Sequence, residues 1–300
     1  MSNHTPKDSD RWADWLQNHR YGGDQNYREH IRDKIESYVR RGLNLLTYQP
    51  HMTLVDVGCG DGVLGFQALK EQESTLQLIF TDVSAAILSV VEKDIKTRNL
   101  EAQCRVVACN AQAMDHLESQ SVDIVATRAA LAYVPQKKQA IQEFYRILKP
   151  GGQLLLVEPI FKDEALATAK LKDMVESGDQ SVELRLLHQW KAAQFPDQLD
   201  AIQTSTLCHY NERDLFSLLQ TQGFKDIHLE LHIDQNAHKY PHWDIFLKLS
   251  PHPLAPTLEQ ILESRMSQTD AQLFESIFRP LVESGGLTSL DRIAYLKATR

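Results

Sequence analysis

Apolar and polar positions along the chain follow two periods that alternate. Between Pro50 and Pro159, short runs of mostly apolar residues recur at 53–57 (TLVDV), 76–81 (LQLIFT), 104–108 (CRVVA), 122–127 (VDIVAT) and 153–158 (QLLLVE). They do not alternate strictly, as expected of strands buried on both faces. Between them the apolar residues return at helical spacing: Ile87, Val91 and Ile95 within 84–97, with Ser84 placed as N-cap, and Ile141, Phe144, Tyr145 and Leu148 within 137–148. Strand–helix alternation at this spacing predicts an α/β fold, a parallel sheet with helices on both faces.

The flanks read differently. Residues 10–50 are predicted helical, with Ile31, Ile35, Tyr38 and Val39 on one face and Asp24 capping after Gly22-Gly23. The stretch 161–210 breaks the alternation and reads as helices. A helix over 212–221 starts at Asn211 and stops at Gly223. Two runs, 226–233 (DIHLELHI) and 242–249 (HWDIFLKL), read as a strand pair. PHPLAP (251–256) reads as a linker, followed by a Thr257-x-x-Gln260 capping box, a helix near 270–283, a Gly285-Gly286 break and the apolar stretch RIAYLKA. The expected organisation is a helical N-terminal cap (1–50), a main domain (51–250) with a helical insertion at about 161–210, and a helical extension (251–300) packed on the domain or on a second subunit.

The 300 residues carry 32 Lys and Arg against 40 Asp and Glu, a net charge of −8. A field of that sign disfavours broad nucleic-acid binding. Four cysteines (Cys59, Cys104, Cys109, Cys208) contain no C-x-x-C pair, so neither a zinc ribbon nor a disulfide framework is expected. The polar opening MSNHTPKDSD does not read as a secretory leader, and no apolar run approaches the ~18 residues of a membrane span. A cytoplasmic protein without membrane partners is the expectation.

The sharpest chemical signal is VDVGCGDG (55–62), which closes the first strand and opens the first helix. Glycines here allow a sharp turn and close ligand approach, and the helix N-terminus offers free amides. The pattern is G-x-G-x-G; Val63 stands where a dinucleotide fingerprint has its last glycine. The second strand ends at Asp82, 24 residues past Gly58, where an acid accepts hydrogen bonds from ribose hydroxyls. The third ends at Cys109-Asn110-Ala111, placed to meet an adenine edge. The fourth ends at Thr127-Arg128-Ala129. Ligands of such sheets lie outside the carboxyl ends of the strands.

With these blocks in this order, the chain resembles the class I S-adenosylmethionine-dependent methyltransferases. The matching residues are VDVGCGDG (55–62), FTDVS (80–84), CNAQ (109–112), VDIVATRAALAYV (122–134) and LKPGGQLLLVEP (148–159), with NERDLFSLLQTQGF (211–224) like the family's last helix before a closing hairpin. The resemblance implies a Rossmann-like, doubly wound, seven-stranded sheet whose last strand pair is antiparallel. It implies S-adenosylmethionine as cofactor and S-adenosylhomocysteine as product. Asp56, Gly58 and Gly60 would surround the amino-acid end of the cofactor, with Cys59 a small filler in the same loop. Asp82 would hold the ribose and Val83 would face the adenine with Asn110 and Ala111. Arg128, or its backbone carbonyl, would lie near the methionine moiety. Many relatives carry an acid where Asn110 stands, so its adenine contact would run through the amide oxygen.

No catalytic residue stands out. Glu158 ends the fifth strand beside the expected transfer site and reads as a substrate contact, a proton acceptor or a loop cap before Pro159; Tyr133 reads as pocket wall or core; His188, in the insertion with Trp190, reads as a base on a lid or as a structural histidine. Arg20 and Tyr21, before the Gly22-Gly23 hinge, are candidates to close over the ligand. His228, Glu230, His232 and Asp234 share a strand face, but the alternating Leu229, Leu231 and Ile233 favour a solvated edge over a metal cluster. The expected reaction is in-line methyl transfer to a small-molecule O, N, S or C atom, by a monomer or homodimer without metal. A nicotinamide-type oxidoreductase and a non-catalytic S-adenosylmethionine-binding subunit stay open as alternatives.

Overall fold

A computed structural model describes residues 10–72, 76–178, 181–237 and 242–300; residues 1–9 of the polar opening lie outside the described residues. Five strands run parallel: β1 (Thr53–Val57), β2 (Gln77–Asp82), β3 (Cys104–Ala108), β4 (Val122–Arg128) and β5 (Leu148–Pro159). Two more, β6 (Lys225–Ala237) and β7 (Thr288–Thr299), close the sheet: β7 pairs antiparallel with β5, and β6 antiparallel with β7. The order is β3-β2-β1-β4-β5-β7-β6. This is the Rossmann-like, doubly wound, seven-stranded sheet expected, with an antiparallel final pair.

Period-two alternation divides the strands between two layers. Leu54, Phe80, Ile124, Leu155 and Tyr295 pack with α2 (Gln25–Leu43), α3 (Val63–Glu71) and α4 (Ala85–Thr97), which follow α1 (Asp10–Asp14) and its π-helical continuation Trp15–His19. Val55, Val125, Leu154, Leu156 and Leu296 face the other layer. There α5 (Lys137–Ile147) presents Ile141 and Phe144, and α9 (Glu212–Gln222) presents Leu215 and Leu219. The helix starts read from sequence hold: Asp24 Oδ1 accepts from Tyr27 N at 2.7 Å, Ser84 Oγ from Ile87 N at 3.2 Å, and Asn211 and Thr257 close capping boxes with Asp214 and Gln260.

The closing hairpin differs from the expected one. The run 242–249 is not a strand; it contains the helix α10 (Trp243–Lys248). Six residues of mixed polarity satisfy either period, and burial decides: Trp243 and Phe246, three apart, enter one apolar cluster. The second hairpin strand is instead β7, from the last apolar stretch. Segment 251–300 is therefore no helical extension alone: after α11 (Leu258–Ser264) and α12 (Gln268–Glu283), its final strand fills the sheet between β5 and β6.

The insertion holds α6 (Lys162–Glu176), α7 (Val182–Ala192) and α8 (Leu199–Thr204). Trp190 on α7 meets Phe246, Phe274 and Phe278 edge-on, centroids 5.7–6.1 Å apart. Insertion and C-terminal helices thus share one small core. The N-terminal segment is clipped beside it: Trp15 Nε1 donates to Ser250 O at 3.2 Å, and Ser250 N donates to His19 O at 3.1 Å.

Candidate cofactor and acceptor site

Parallel register aligns the strand tips. Val57 pairs with Thr81 and with Thr127, Asp82 with Ala108, and Arg128 with Val157. The next residues of β1 and β4, where the strand order reverses, flank a cavity of about 230 Å³.

The glycine bend forms its floor. Gly58 has φ +65°, and a Cβ there would stand 2.5 Å from the Cβ of Ala130, so only glycine lets the two loops meet. Gly62 caps α3 at φ +74°, and a Cβ would strike the Phe66 ring at 2.6 Å. Asp82 Oδ2 accepts from Gly60 N at 3.2 Å and Oδ1 from Ser84 N at 3.0 Å, tying the second tip to the bend. Burial raises the Asp82 carboxyl above its ordinary range while those amides oppose the shift.

Of the residues singled out in the sequence, Gly58, Gly60, Asp82, Val83, Asn110, Ala111, Arg128, Arg20 and Tyr133 line the cavity together. Val83 is 55% exposed, an apolar side chain left bare at a polar rim. Asn110 Oδ1 accepts from Gln112 N at 2.9 Å, which leaves the amide NH₂ as the free end. Arg128 faces the cavity with no hydrogen bond or ion pair among the described residues. Burial, then the nearby Arg20, lowers its pKa.

The other candidates lie elsewhere. Asp56 is buried behind the bend, its Oδ2 accepting from Gly65 N at 3.0 Å, and desolvation lifts its carboxyl to about 7. Cys59 is buried, and desolvation pushes its thiol up. Tyr21 is buried against the guanidinium groups of Arg20 and Arg28, at 5.3 and 5.5 Å, and is not part of the cavity lining. His188 Nε2 pairs with Asp197 Oδ2 at 2.9 Å in the insertion, outside the lining.

Glu158 is fully buried and saturated. Its Oε1 accepts from Thr127 Oγ1 at 2.6 Å, Ala130 N at 3.3 Å and Leu131 N at 3.2 Å, and its Oε2 from Ala132 N at 3.1 Å. Four donors on one carboxylate make it the anchor of the loop after β4, which contains the 3₁₀ turn Leu131–Tyr133. It is a cap and not an open proton acceptor. Lys137 holds the loop from behind, donating to Ala132 O, Val134 O and Thr206 O at 2.8–3.1 Å; burial lowers its pKa to about 8.

Residues without a motif complete the enclosure. Trp12, Trp15 and Leu16 from the N-terminal cap, and Pro253 from the segment after α10, cover the cavity. Trp12 meets the Tyr133 ring edge-on at 5.0 Å. The i, i+3, i+4 spacing of Trp12, Trp15 and Leu16 is a helical apolar face; it is the signal from which they were detectable. Arg20 bridges cap and bend, Nη1 lying 3.6 Å from Asp61 Oδ2.

A family model described as "Methyltransferase domain" matches residues 49–223, more than half of the chain. This chain belongs to the class I S-adenosylmethionine-dependent methyltransferases. Among curated methyltransferases, the ubiquinone/menaquinone biosynthesis C-methyltransferase UbiE of Bartonella tribocorum is 31% identical over 108 residues, 36% of this chain and 41% of that protein. UbiE of Legionella pneumophila is 30% identical over 127 residues, 41% and 50% of the two chains. The matched stretch thus spans half or less of these relatives. Among solved structures, YcgJ of Bacillus subtilis superposes with TM-score 0.54 at 13% identity, covering 88% of this chain and 98% of that one. Phosphoethanolamine N-methyltransferase 2 of Haemonchus contortus, solved with phosphomonomethylethanolamine and S-adenosylhomocysteine, gives 0.50 at 15%, covering 96% and 56%. At such identities the likeness to these two structures is one of fold. The residues present also fit the family's cofactor: an unpaired, partly buried guanidinium facing the cavity suits its carboxylate, and a strand-end carboxylate suits its ribose.

Proposed function

We propose that this protein transfers the methyl group of S-adenosylmethionine to a small, flat, largely apolar acceptor held beneath the N-terminal cap. One observation carries the reading: a single cavity joins the polar strand tips to the aromatic residues Trp12, Trp15 and Tyr133. Asp82 keeps lone pairs on both oxygens for the ribose hydroxyls. Val83 walls the adenine, and the Asn110 NH₂ meets a ring nitrogen, a reversal of the amide-oxygen contact expected from sequence. Arg128 takes the methionine carboxylate. Asp56 and Cys59 act behind this surface, shaping the bend.

The bound cofactor supplies an electrophilic methyl on a sulfonium, with a good leaving group. The chain's own work is orientation and exclusion of water, which can supply ~7–11 kcal/mol. Glu158 and Lys137 fix the loop that presents Tyr133. Burial, and the nearby Glu158, raise the Tyr133 hydroxyl well above its ordinary range, so it stays protonated and donates a hydrogen bond to an acceptor oxygen. Net charge −8 favours a small acceptor over nucleic acid. Among the described residues no helix is long and apolar enough to cross a membrane. The UbiE relatives are named C-methyltransferases of quinone biosynthesis, which makes hydroquinones the first acceptor class to try.

Calorimetric titration with S-adenosylmethionine tests the cofactor reading: saturable binding is expected in the wild type and a large loss in Asp82→Ala with the fold intact. No binding by the wild type overturns it. S-adenosylhomocysteine release with hydroquinones then tests the acceptor class separately.

A further inference from the structure

The sheet has two edges of very different character. β3 offers five residues. β6 offers thirteen, and none of residues 225–236 is buried. Leu231 is 39% and Ile233 56% exposed, and Leu290 on the neighbouring β7 is 43% exposed. A long edge strand with bare apolar side chains is a template for another strand. A register shift between Lys225 and His228, with Asp226 at φ +48°, ends the regular stretch on one side.

What covers it is readable from its own sequence. Directly opposed residues of an antiparallel pair share a sheet face. Two copies of β6 centred on Leu231 place Leu231 opposite itself, Leu229 opposite Ile233, Glu230 opposite His232 and His228 opposite Asp234. Apolar meets apolar on one face and acid meets histidine on the other. Neighbouring registers of the same parity fail: centring on residue 230 opposes Glu230 to itself, and centring on 232 opposes Glu230 to Asp234. Odd registers set leucine against histidine. Within one chain, Glu230 already holds His228 and His232 at 2.9 Å each, so the carboxylate stands between the rings that a second copy extends. Arg41 adds a cation on the same face, 2.9 Å from His232 and 3.7 Å from Asp234.

We propose that β6 is a homodimer contact: two copies of this chain join edge to edge, antiparallel, about a twofold axis at Leu231, giving one continuous fourteen-stranded sheet. The interface is isologous and lies apart from the cavity, so each copy keeps a complete site.

The test uses the full chain. Sedimentation over a concentration series is expected to show a monomer–dimer equilibrium. Leu231→Cys, half-exposed and facing itself across the axis, is expected to form a covalent dimer under mild oxidant. Ile233→Cys, which faces Leu229 of the other copy, is not. Glu230→Lys weakens two symmetric pairs at once and is expected to raise the dimer dissociation constant about tenfold; adding His232→Glu restores it. S-adenosylhomocysteine affinity, set by the cavity, confirms that each variant is folded. A wild type that stays monomeric throughout, or Ile233→Cys cross-linking as readily as Leu231→Cys, overturns the proposal.

Discussion

Glu158→Gln separates an anchor from a base. In the wild type, one buried carboxylate accepts four hydrogen bonds, three of them from consecutive backbone amides at Ala130, Leu131 and Ala132. The amide of glutamine can keep its oxygen toward Thr127, Ala130 and Leu131, but its NH₂ then faces the Ala132 N–H, donor against donor. Orphaning a buried donor costs about 1–3 kcal/mol, and the remaining bonds lose their charge assistance. The substitution also removes the desolvation cost of the buried carboxylate charge, which returns part of that loss. A net destabilisation of ~2 kcal/mol is expected, about 4 °C in Tm for a chain of this size, measured by urea unfolding and calorimetry. Because the same loop lines the cavity through Ala129, Leu131 and Val134, S-adenosylhomocysteine affinity should fall several-fold alongside. An unchanged Tm with turnover reduced ~10²–10⁴-fold, the signature of a lost base, would refute the anchor reading.

Three further outcomes are expected. Arg128→Met should weaken S-adenosylhomocysteine binding ~10–100-fold, the loss of a charge-assisted contact, and leave adenosine binding unchanged; an equal loss for adenosine contradicts the carboxylate assignment. Asp56 is protonated more readily in the folded chain (about 7) than its ordinary value of 3.8, so its contribution to stability is present below that value and is lost as pH rises toward 7. Relative to Asp56→Asn, the wild type should lose up to ~4 kcal/mol between pH 4 and 7, read from unfolding midpoints across that range; parallel profiles for the two proteins contradict it. Gly62→Ala forces a left-handed residue against the Phe66 ring and should destabilise by ~2–4 kcal/mol, visible as a lower urea midpoint with the cavity residues unchanged.

What the amino-acid sequence determined by itself was local. The five parallel strands, the capping residues Asp24, Ser84, Asn211 and Thr257, and the cavity-lining tips at Asp82, Asn110 and Arg128 follow from side-chain period, cap chemistry and crossover spacing, each a matter of a few neighbouring residues. Tertiary structure decided whatever depends on distant partners. HWDIFLKL became a helix because Leu186, Phe274 and Phe278 supply an apolar cluster for Trp243 and Phe246, and RIAYLKA took its place in the sheet because β5 needed an alternating partner. Glu158, Asp56 and Tyr21 are acids and an aromatic at plausible positions, but a side chain's role follows from which donors and rings surround it, and those come from segments up to tens of residues away. The roof of the cavity, with Trp15 held down through Ser250, joins segments 235 residues apart, a contact that no local pattern encodes.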